Sequence, residues 1–508
     1  MYRRIHVASG TRARKPDVVA VAIFAGSRKL QAKYATLDRQ AGGALSQAVK
    51  RPEFSAAAGV VTAAYADRGV RRLFLVGLGD PKKFTGTVLR RASAGVLRAA
   101  FAASVRRLDW RLGPGLNGRL PAAEAGRAIG DGLAIAGFKF NAFRGKIDGS
   151  SAHHRGTRDV SQLAVDIDAP MREGVKRSLI VGESVNLARE LAATPPNVAH
   201  PTHIAATCRA MARRVGLRCT MIQEKRARQL NMGGLLAVGA AGSKPPVLIC
   251  MEHRPRGKAN DRPVLLVGKA VTFDTGGYCL KPPGSMDGMK YDKCGGMAVV
   301  GAMHAVAQLK LPVRVVGLIP TAENMVSRRA YRPSDILTMA NGVTVEVTNT
   351  DAEGRLILAD ALAYGCKAYR PRAVIDLATL TGGVVVALGR HSAGLFCGDD
   401  RLRRHLIEAG EFTGERLWPL PLWDEHREQM RGTHGDLVNS AGRDASPIQG
   451  AAFLSHFVGD RAPDAMPDIP WAHIDIAGVS DVKQDSGLYC KGPTGFGVRL
   501  LVRLLEKM

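Results

Sequence analysis

The chain has 508 residues, 46% of them apolar, and a formal net charge of +27 at neutral pH. That length exceeds one typical domain and that apolar fraction suffices for a core in each of two, which excludes a disordered chain or a single small module. Eight scattered cysteines without a C-x-x-C pair exclude a zinc ribbon or a disulfide scaffold and point to reduced thiols in the cytoplasm, and the most apolar stretch, residues 373–389, carries Asp376 and several glycines, so no membrane span is expected.

In chain order, Met1-Tyr2-Arg3-Arg4-Ile5-His6-Val7 has no continuous apolar run and is not read as a secretory signal, although its arginines and lack of acids before Asp17 faintly resemble a transit peptide. Residues 1–150 hold 27 basic and 9 acidic side chains, a balance of +18, whereas residues 151–508 hold 45 and 36, a balance of +9. A basic N-terminal domain attracts polyanions by counterion release, so nucleic acid is a possible partner; a solvated basic surface is the other reading. Little aromatic interleaving and no nucleic-acid motif argue against base readout. Residues 17–24 and 72–79 read as strands and residues 90–103 and 122–136 as helices, which makes a small α/β domain over residues 1–168. Gly77-Leu78-Gly79 lacks the third glycine of a dinucleotide fingerprint and reads as a strand-end turn. Residues 141–157 are turn-rich, with His153-His154 as surface histidines, and Asp166-Ile167-Asp168 closes a further strand.

A long helical pattern over residues 171–193 ends at Pro195-Pro196, so residues 169–200 read as a connector to a larger domain over residues 201–508. There the pattern gives a helix at 202–215, strands at 246–250 and 263–267, a small-residue helix at 295–309, and strands at 313–318, 343–347 and 373–377 with a helix-forming run at 357–363. Alternating strands and helices predict an α/β fold: a small N-terminal α/β domain plus a larger C-terminal domain whose mixed, mostly parallel central sheet is covered by helices.

Two charged clusters follow strands in that larger domain. Asn349-Thr350-Asp351-Ala352-Glu353-Gly354-Arg355-Leu356 puts two carboxylates and a guanidinium at a strand-to-helix junction, the kind of place where open sheets bind ligands. By itself it is equally a helix start, with Asp351 as cap and Glu353 and Arg355 solvated. Upstream, Lys269, Asp274, Lys281, Lys290 and Asp292 follow another strand, among glycines that permit close backbone approach. Carboxylates converging from two strands repel unless a cation lies between them, and hard oxygen donors without histidine or cysteine suit Mg, Mn or Zn; four of them suffice for two ions. No G-x-S-x-G elbow and no H-E-x-x-H helix occurs.

Gly268-Lys269-Ala270-Val271-Thr272-Phe273-Asp274-Thr275-Gly276-Gly277, Met286-Asp287-Gly288-Met289-Lys290-Tyr291-Asp292 and the octamer above resemble the signature blocks of the leucyl aminopeptidase (cytosol aminopeptidase) family. The resemblance runs from about Val175 to the C-terminus, through Thr194-Pro195-Pro196-Asn197, Glu323-Asn324-Met325, Ala330-Tyr331-Arg332-Pro333, Ala378-Thr379-Leu380-Thr381-Gly382 and Trp471-Ala472-His473-Ile474-Asp475-Ile476-Ala477-Gly478. It implies a metal-dependent aminopeptidase that releases N-terminal residues of leucine type from peptides through water activated by two divalent ions, Mn or Zn, with Mg or Co as possible substitutes. Asp274 and Glu353 resemble the carboxylates that touch both metals, Lys269 and Asp292 the remaining ligands of the tighter one, and Asp351 that of the exchangeable one. Lys281 resembles the catalytic lysine that stabilises an oxyanion, and Arg355 the arginine that holds a bicarbonate acting as general base. Met289, Asn349, Thr379, Leu380 and Gly382 match positions near the substrate.

The same resemblance implies a homohexamer, a dimer of trimers, and allows for relatives in which DNA binding or scaffolding accompanies reduced peptidase activity, the alternative that the +18 domain favours. Departures from the family pattern are Lys293, where methionine is usual, and Gly296-Met297 in place of small alanines. A second cation beside the metals weakens their binding if it points inward.

Overall fold

The computed structural model describes residues 7–9, 16–26, 30–67, 69–112, 116, 119–143, 162–165, 167–257, 261–459 and 467–508. Residues 1–6, His153-His154 and Asp166 lie outside the described residues. The chain divides into two compact units, Met1–Asn186 with Lys483–Lys491, and Leu187–Val482 with Gly492–Met508.

In the first unit the strands are β1 Val7–Ser9, β2 Val18–Ile23, β3 Val61–Tyr65, β4 Arg72–Gly77, β5 Arg107–Arg111 and β6 Gln162–Val165, ordered β1-β6-β5-β2-β4-β3. All pairs are parallel except β3 with β4. The run Val18-Val19-Ala20-Val21-Ala22-Ile23 is apolar throughout because both its faces are covered. Val18, Ala20 and Ala22 pack with residues of the helices Gly86–Ala102, Ala122–Ala136 and Ala169–Ala193, while Val19, Val21 and Ile23 pack with the helices Ala35–Gln40 and Ala44–Lys50. The expected strands and helices are present; β1, β3, β5 and the two short helices are additional. β5 escapes an alternation test because Asp109, between the buried Leu108 and Trp110, is itself buried, paired to Arg111 at 3.1 Å.

The second unit contains β7 Arg218–Ile222, β8 Val247–His253, β9 Val264–Gly268, β10 Ala270–Asp274, β11 Val315–Asn324, β12 Ile336–Thr338, β13 Thr344–Glu346, β14 Ala373–Ala378, β15 Ala393–Cys397, β16 Leu417–Pro419, β17 Leu437–Val438 and β18 Trp471–Asp475. Its main sheet has nine strands, β16-β15-β18-β14-β9-β11-β8-β7, with β10 against β11, and β12-β13-β17 form a small separate sheet. Parallel pairing joins β10, β11, β9, β14 and β18 in one direction, and the pairs β8–β11, β7–β8 and β15–β18 are antiparallel. This is the mixed, mostly parallel sheet that the sequence predicts.

β11 outruns its expected end by six residues, to Asn324, because its polar tail Thr321-Ala322-Glu323-Asn324 pairs with β10. On one face Leu265, Val267 and Val374 pack against Leu358, Ala361 and Leu362 of the helix Glu353–Tyr369. The helix Cys294–Gln308 starts with glycines for a steric reason: a Cβ on Gly295 would lie 2.2 Å from the Leu377 carbonyl oxygen. No described helix is long and apolar enough to cross a membrane.

Candidate functional site

Five parallel strands, β9, β10, β11, β14 and β18, bring their carboxyl ends to one edge of the sheet, where side chains escape the apolar core without leaving the protein. Lys269 follows β9; Asp274, Asn324 and Asp475 close β10, β11 and β18; and Thr379 follows β14. The octamer 349–356 leads from the small sheet into the helix Glu353–Tyr369, so Glu353 and Arg355 occupy its first turn, while Ala352 stands at the cap without a side-chain bond. Asp351 is therefore not the cap: its carboxylate turns to Lys281 instead.

The two clusters meet. Lys269 Nζ is 2.8 Å from Asp292 Oδ1 and 2.8 Å from Glu353 Oε1, and it donates to the Thr379 carbonyl at 2.9 Å. Lys281 Nζ is 2.8 Å from Asp274 Oδ2 and 2.5 Å from Asp351 Oδ1. Carboxylate oxygens of Asp274, Asp351 and Glu353 all lie within 4.8 Å of one another, a grouping able to hold a metal ion. Gly354 makes room for this: a Cβ there would lie 2.4 Å from Lys269 Cε.

Neighbouring groups orient the carboxylates. Asp274 Oδ1 accepts from the Asn324 amide at 2.8 Å and from the Gly276 N–H at 2.9 Å, and Asp292 Oδ1 accepts from the Thr379 hydroxyl at 2.8 Å. Lys269, Asp274, Asp292 and Glu353 are buried, while the Asp351 side chain is 35% exposed.

Four carboxylates thus face two ammonium groups, and the electrostatics show the imbalance. Burial raises the Asp292 pKa well above the carboxylate range, Glu353 and Asp274 raise it further, and Lys269 only partly offsets them. Asp351 is pushed up to about 6 by burial and then by Asp274 and Glu353, against the pull of Lys281. Burial acting alone would lower both lysines; Asp292, Glu353 and Asp274 instead hold Lys269 above its ordinary value, and Asp274, Glu353 and Asp351 do the same for Lys281. Asp292 Oδ2 is buried with no hydrogen-bond partner among the described residues, and Asp351 Oδ1 and Glu353 Oε1, though close to an ammonium, receive no well-aligned hydrogen bond. Buried acceptors in excess of donors fit hard divalent cations supplied from outside the chain.

Arg355 lies beside this cluster. Its Nη1 donates to the Asn439 carbonyl at 2.8 Å, and its buried Nε has no partner among the described residues. Burial lowers its pKa to about 10 despite Glu353 and Asp475. Of the positions matched to substrate, Met289 is half-buried on the turn Met289–Tyr291 before Asp292, Asn349 is half-buried and tied through its backbone to Asn439, and Gly382 is exposed at the start of the helix Gly382–Leu388. Leu380 is half-buried with its side chain toward Gly450, and the Thr379 hydroxyl goes to Asp292.

Lys293 points away from the cluster: it is fully buried, and its ammonium donates to the carbonyls of Thr194, at 3.3 Å, and Lys290. Sequence reading gave no role to Asn324, Tyr331 or Asn439. Asn324 joins Asp274 to the Thr350 carbonyl, which also accepts from the Tyr331 hydroxyl at 2.8 Å, and Asn439 anchors residues 348 and 349. The strand was expected to end at residue 318, so nothing in the sequence placed Asn324 at a strand end, and a lone asparagine such as Asn439 carries no signal either.

Comparison with known proteins agrees with this geometry. The profile of the cytosol aminopeptidase family, catalytic domain, matches residues 186–502, and that of the same family's N-terminal domain matches residues 20–146. A probable cytosol aminopeptidase of Syntrophotalea carbinolica is 41% identical over 473 residues, covering 93% of each chain, and one of Aromatoleum aromaticum is 37% identical, covering 97% of this chain and 96% of the other. Among solved structures, the bottromycin maturation enzyme BotP in complex with Mn superposes with a TM-score of 0.83 at 33% identity, covering 97% of this chain and 99% of that one.

Proposed function

The chain belongs to the cytosol aminopeptidase family and is a metal-dependent aminopeptidase, and from that premise we propose that it removes N-terminal residues of leucine type from peptides with two divalent ions, Mn or Zn, held by Lys269, Asp274, Asp292, Asp351 and Glu353. The observation that carries the two-ion reading is the excess of buried acceptors: four carboxylates against two lysines, with Asp292 Oδ2 unpartnered among the described residues. When bound, the ions would lower the pKa of a water, polarise the scissile carbonyl and hold the substrate's free α-amine, which confines cleavage to the N-terminus.

The residues have distinct parts in this reading. Asp274 and Glu353, each of which acts electrostatically on both lysines, would serve both ions, Asp292 and Lys269 would hold the buried one, and Asp351 the one nearer solvent. Lys269 would ligate only as a neutral amine, so holding a metal would require loss of the proton that Asp292, Glu353 and Asp274 favour. Lys281, held beside Asp274 and Asp351, would supply its ammonium to the oxyanion of the tetrahedral intermediate. Arg355, whose buried Nε has no partner among the described residues, would hold bicarbonate as the general base, since a guanidinium fork matches a planar carbonate. Met289 and Leu380 line the pocket for the first side chain, with Asn349, Thr379 and Gly382 along the substrate backbone. The assembly is a homohexamer acting in the cytoplasm, in keeping with eight cysteines that are all free thiols.

Hydrolysis of leucine p-nitroanilide after exhaustive chelation, followed by add-back of Mn or Zn, tests the reading. Activity is expected to vanish and return with metal; full activity in the chelated enzyme would overturn it.

A further inference from the structure

Asp475 is fully buried at the end of β18, in register with Ala378 at the end of β14. Its two carboxylate oxygens take four donors, all uncharged. Oδ1 accepts from the backbone N–H of Leu380 and of Ala477, each at 3.1 Å, and Oδ2 accepts from the Thr381 N–H at 3.1 Å and the Thr381 hydroxyl at 2.7 Å. Three of the four lie in residues 379–381, the loop that leaves β14.

The same loop reaches the metal-ligating cluster from its other side. The Thr379 carbonyl accepts from Lys269 Nζ at 2.9 Å, and the Thr379 hydroxyl donates to Asp292 Oδ1 at 2.8 Å. A single residue therefore fixes the direction of the Lys269 amine and the rotation of the Asp292 carboxylate, and its own place is fixed by the two amides that follow it. A carboxylate suits this task, since its two oxygens accept several N–H and O–H donors in directional bonds.

We propose that Asp475 is a positioning residue of the metal centre, acting through residues 379–381 to set Lys269 and Asp292. The proposal rests on the two-ion reading above. Groups that orient metal ligands typically contribute about 10- to 100-fold in metal affinity or activity, the range expected here.

Asp360 supplies the control, being an equally buried carboxylate that accepts backbone N–H groups, from Leu235 at 2.8 Å and Ala340 at 2.9 Å, none of them in the loop that touches the ligands. The test titrates Mn into metal-stripped, full-length protein and follows amide exchange of Leu380 and Thr381. Asp475→Asn keeps the shape but turns an N–H toward two of the donors; it is expected to weaken Mn binding about 10- to 100-fold and to speed exchange of both amides. Thr379→Val, which leaves the Asp475 bonds intact, is expected to weaken Mn binding comparably, and the double variant to be no worse than the weaker binder of the two, because both act through one contact chain.

Asp360→Asn is expected to lower the melting temperature without moving the Mn affinity. A lowered melting temperature with wild-type Mn affinity in Asp475→Asn, or full additivity with Thr379→Val, would reduce Asp475 to a structural clasp and overturn the proposal. If the wild type takes up no Mn, it is the two-ion reading that fails. The exchange rates still decide Asp475's part: faster exchange in Asp475→Asn supports its hold on the loop, and unchanged exchange ends it.

Discussion

Both units of this chain bury charge in an α/β sandwich, and the second also has balanced pairs such as Arg499 with Glu415, but one cluster in it follows the opposite rule. In the first unit Arg90 Nε meets Asp131 Oδ2 at 3.2 Å, the other oxygen of Asp131 accepts from the Ser178 hydroxyl at 2.9 Å, and Asp109 pairs with Arg111. Asp131 and Asp109 each have their own guanidinium, and the buried Asp38 is met by the backbone N–H groups of Leu45 and Ser46 and by the Ser46 hydroxyl. In the second unit Asp274, Asp292, Asp351 and Glu353 share Lys269 and Lys281. Balanced pairs hold a fold together; an unbalanced group is a fold holding something open for a ligand. The overall charge is no guide to this, since the greater positive excess lies in residues 1–150, away from the carboxylate cluster.

Substituting one carboxylate from each region separates the two rules. Glu353→Gln is expected to lower kcat/KM by about 10³- to 10⁴-fold, since metal-borne charge stabilisation amounts to several kcal/mol and each 1.36 kcal/mol is a factor of ten. It relieves repulsion in the metal-free protein, so chemical denaturation of the chelated variant should show little loss of stability. Asp131→Ala leaves Arg90 buried without its carboxylate and is expected to cost about 3 to 5 kcal/mol in the same denaturation series, with kcat unchanged wherever the protein stays folded. Equal stability losses in the two variants would erase the distinction.

Lys281→Ala sharpens the contrast within the site. Lys269 is enclosed by Asp292, Glu353 and the Thr379 carbonyl, whereas Lys281 is partly exposed and bridges the more open pair. Loss of one oxyanion donor typically costs about 10²- to 10³-fold in kcat, and KM is expected to change little. A rise in KM at constant kcat would move Lys281 from the reaction to substrate binding.

How much of this was legible beforehand follows from the same physics. Apolar runs such as 18–23 and 264–267 announced buried parallel strands, and the helix at 122–136 followed from its periodicity alone. Asp274, Asp292, Asp351 and Glu353 drew notice as candidates because charge clustered after strands is costly and therefore informative, whereas Lys269 was singled out as a ligand only by the family resemblance. What positions them did not. Asp475 and Asn324 act on groups that only folding brings near, 94 and 95 positions away for Asp475 and 50 and 26 for Asn324, and no residue type announces such partners. Lys293 shows the reverse: its place beside Asp292 suggested interference, yet its side chain is spent on two backbone carbonyls.

The smallest expected effect is one of sign. In the folded, metal-free protein the Asp351 pKa is pushed up to about 6, from an ordinary value of 3.8, so between those values the folded state keeps a proton that the unfolded state has released. The contribution of Asp351 to the stability of the chelated protein is therefore expected to be full below about pH 4, to fall as pH rises to about 6, and to level off above it, by roughly 1 to 2 kcal/mol once solvent screening of this partly exposed group is discounted. Asp17 in the first unit has the opposite sign: burial would raise it, but the amides of Arg107 and Arg106 and the Arg107 guanidinium hold it low, so its contribution is present above the ordinary carboxylate pKa and is lost in acid. Melting temperatures of chelated protein from pH 4 to 8 should carry the Asp351 decline, and Asp351→Asn should flatten it. Saturating Mn should reverse the slope, because protons and metal compete for the same oxygens. A wild-type chelated curve already flat across that window would mean that the four carboxylates carry no excess charge, and the contrast with the first unit would go with it.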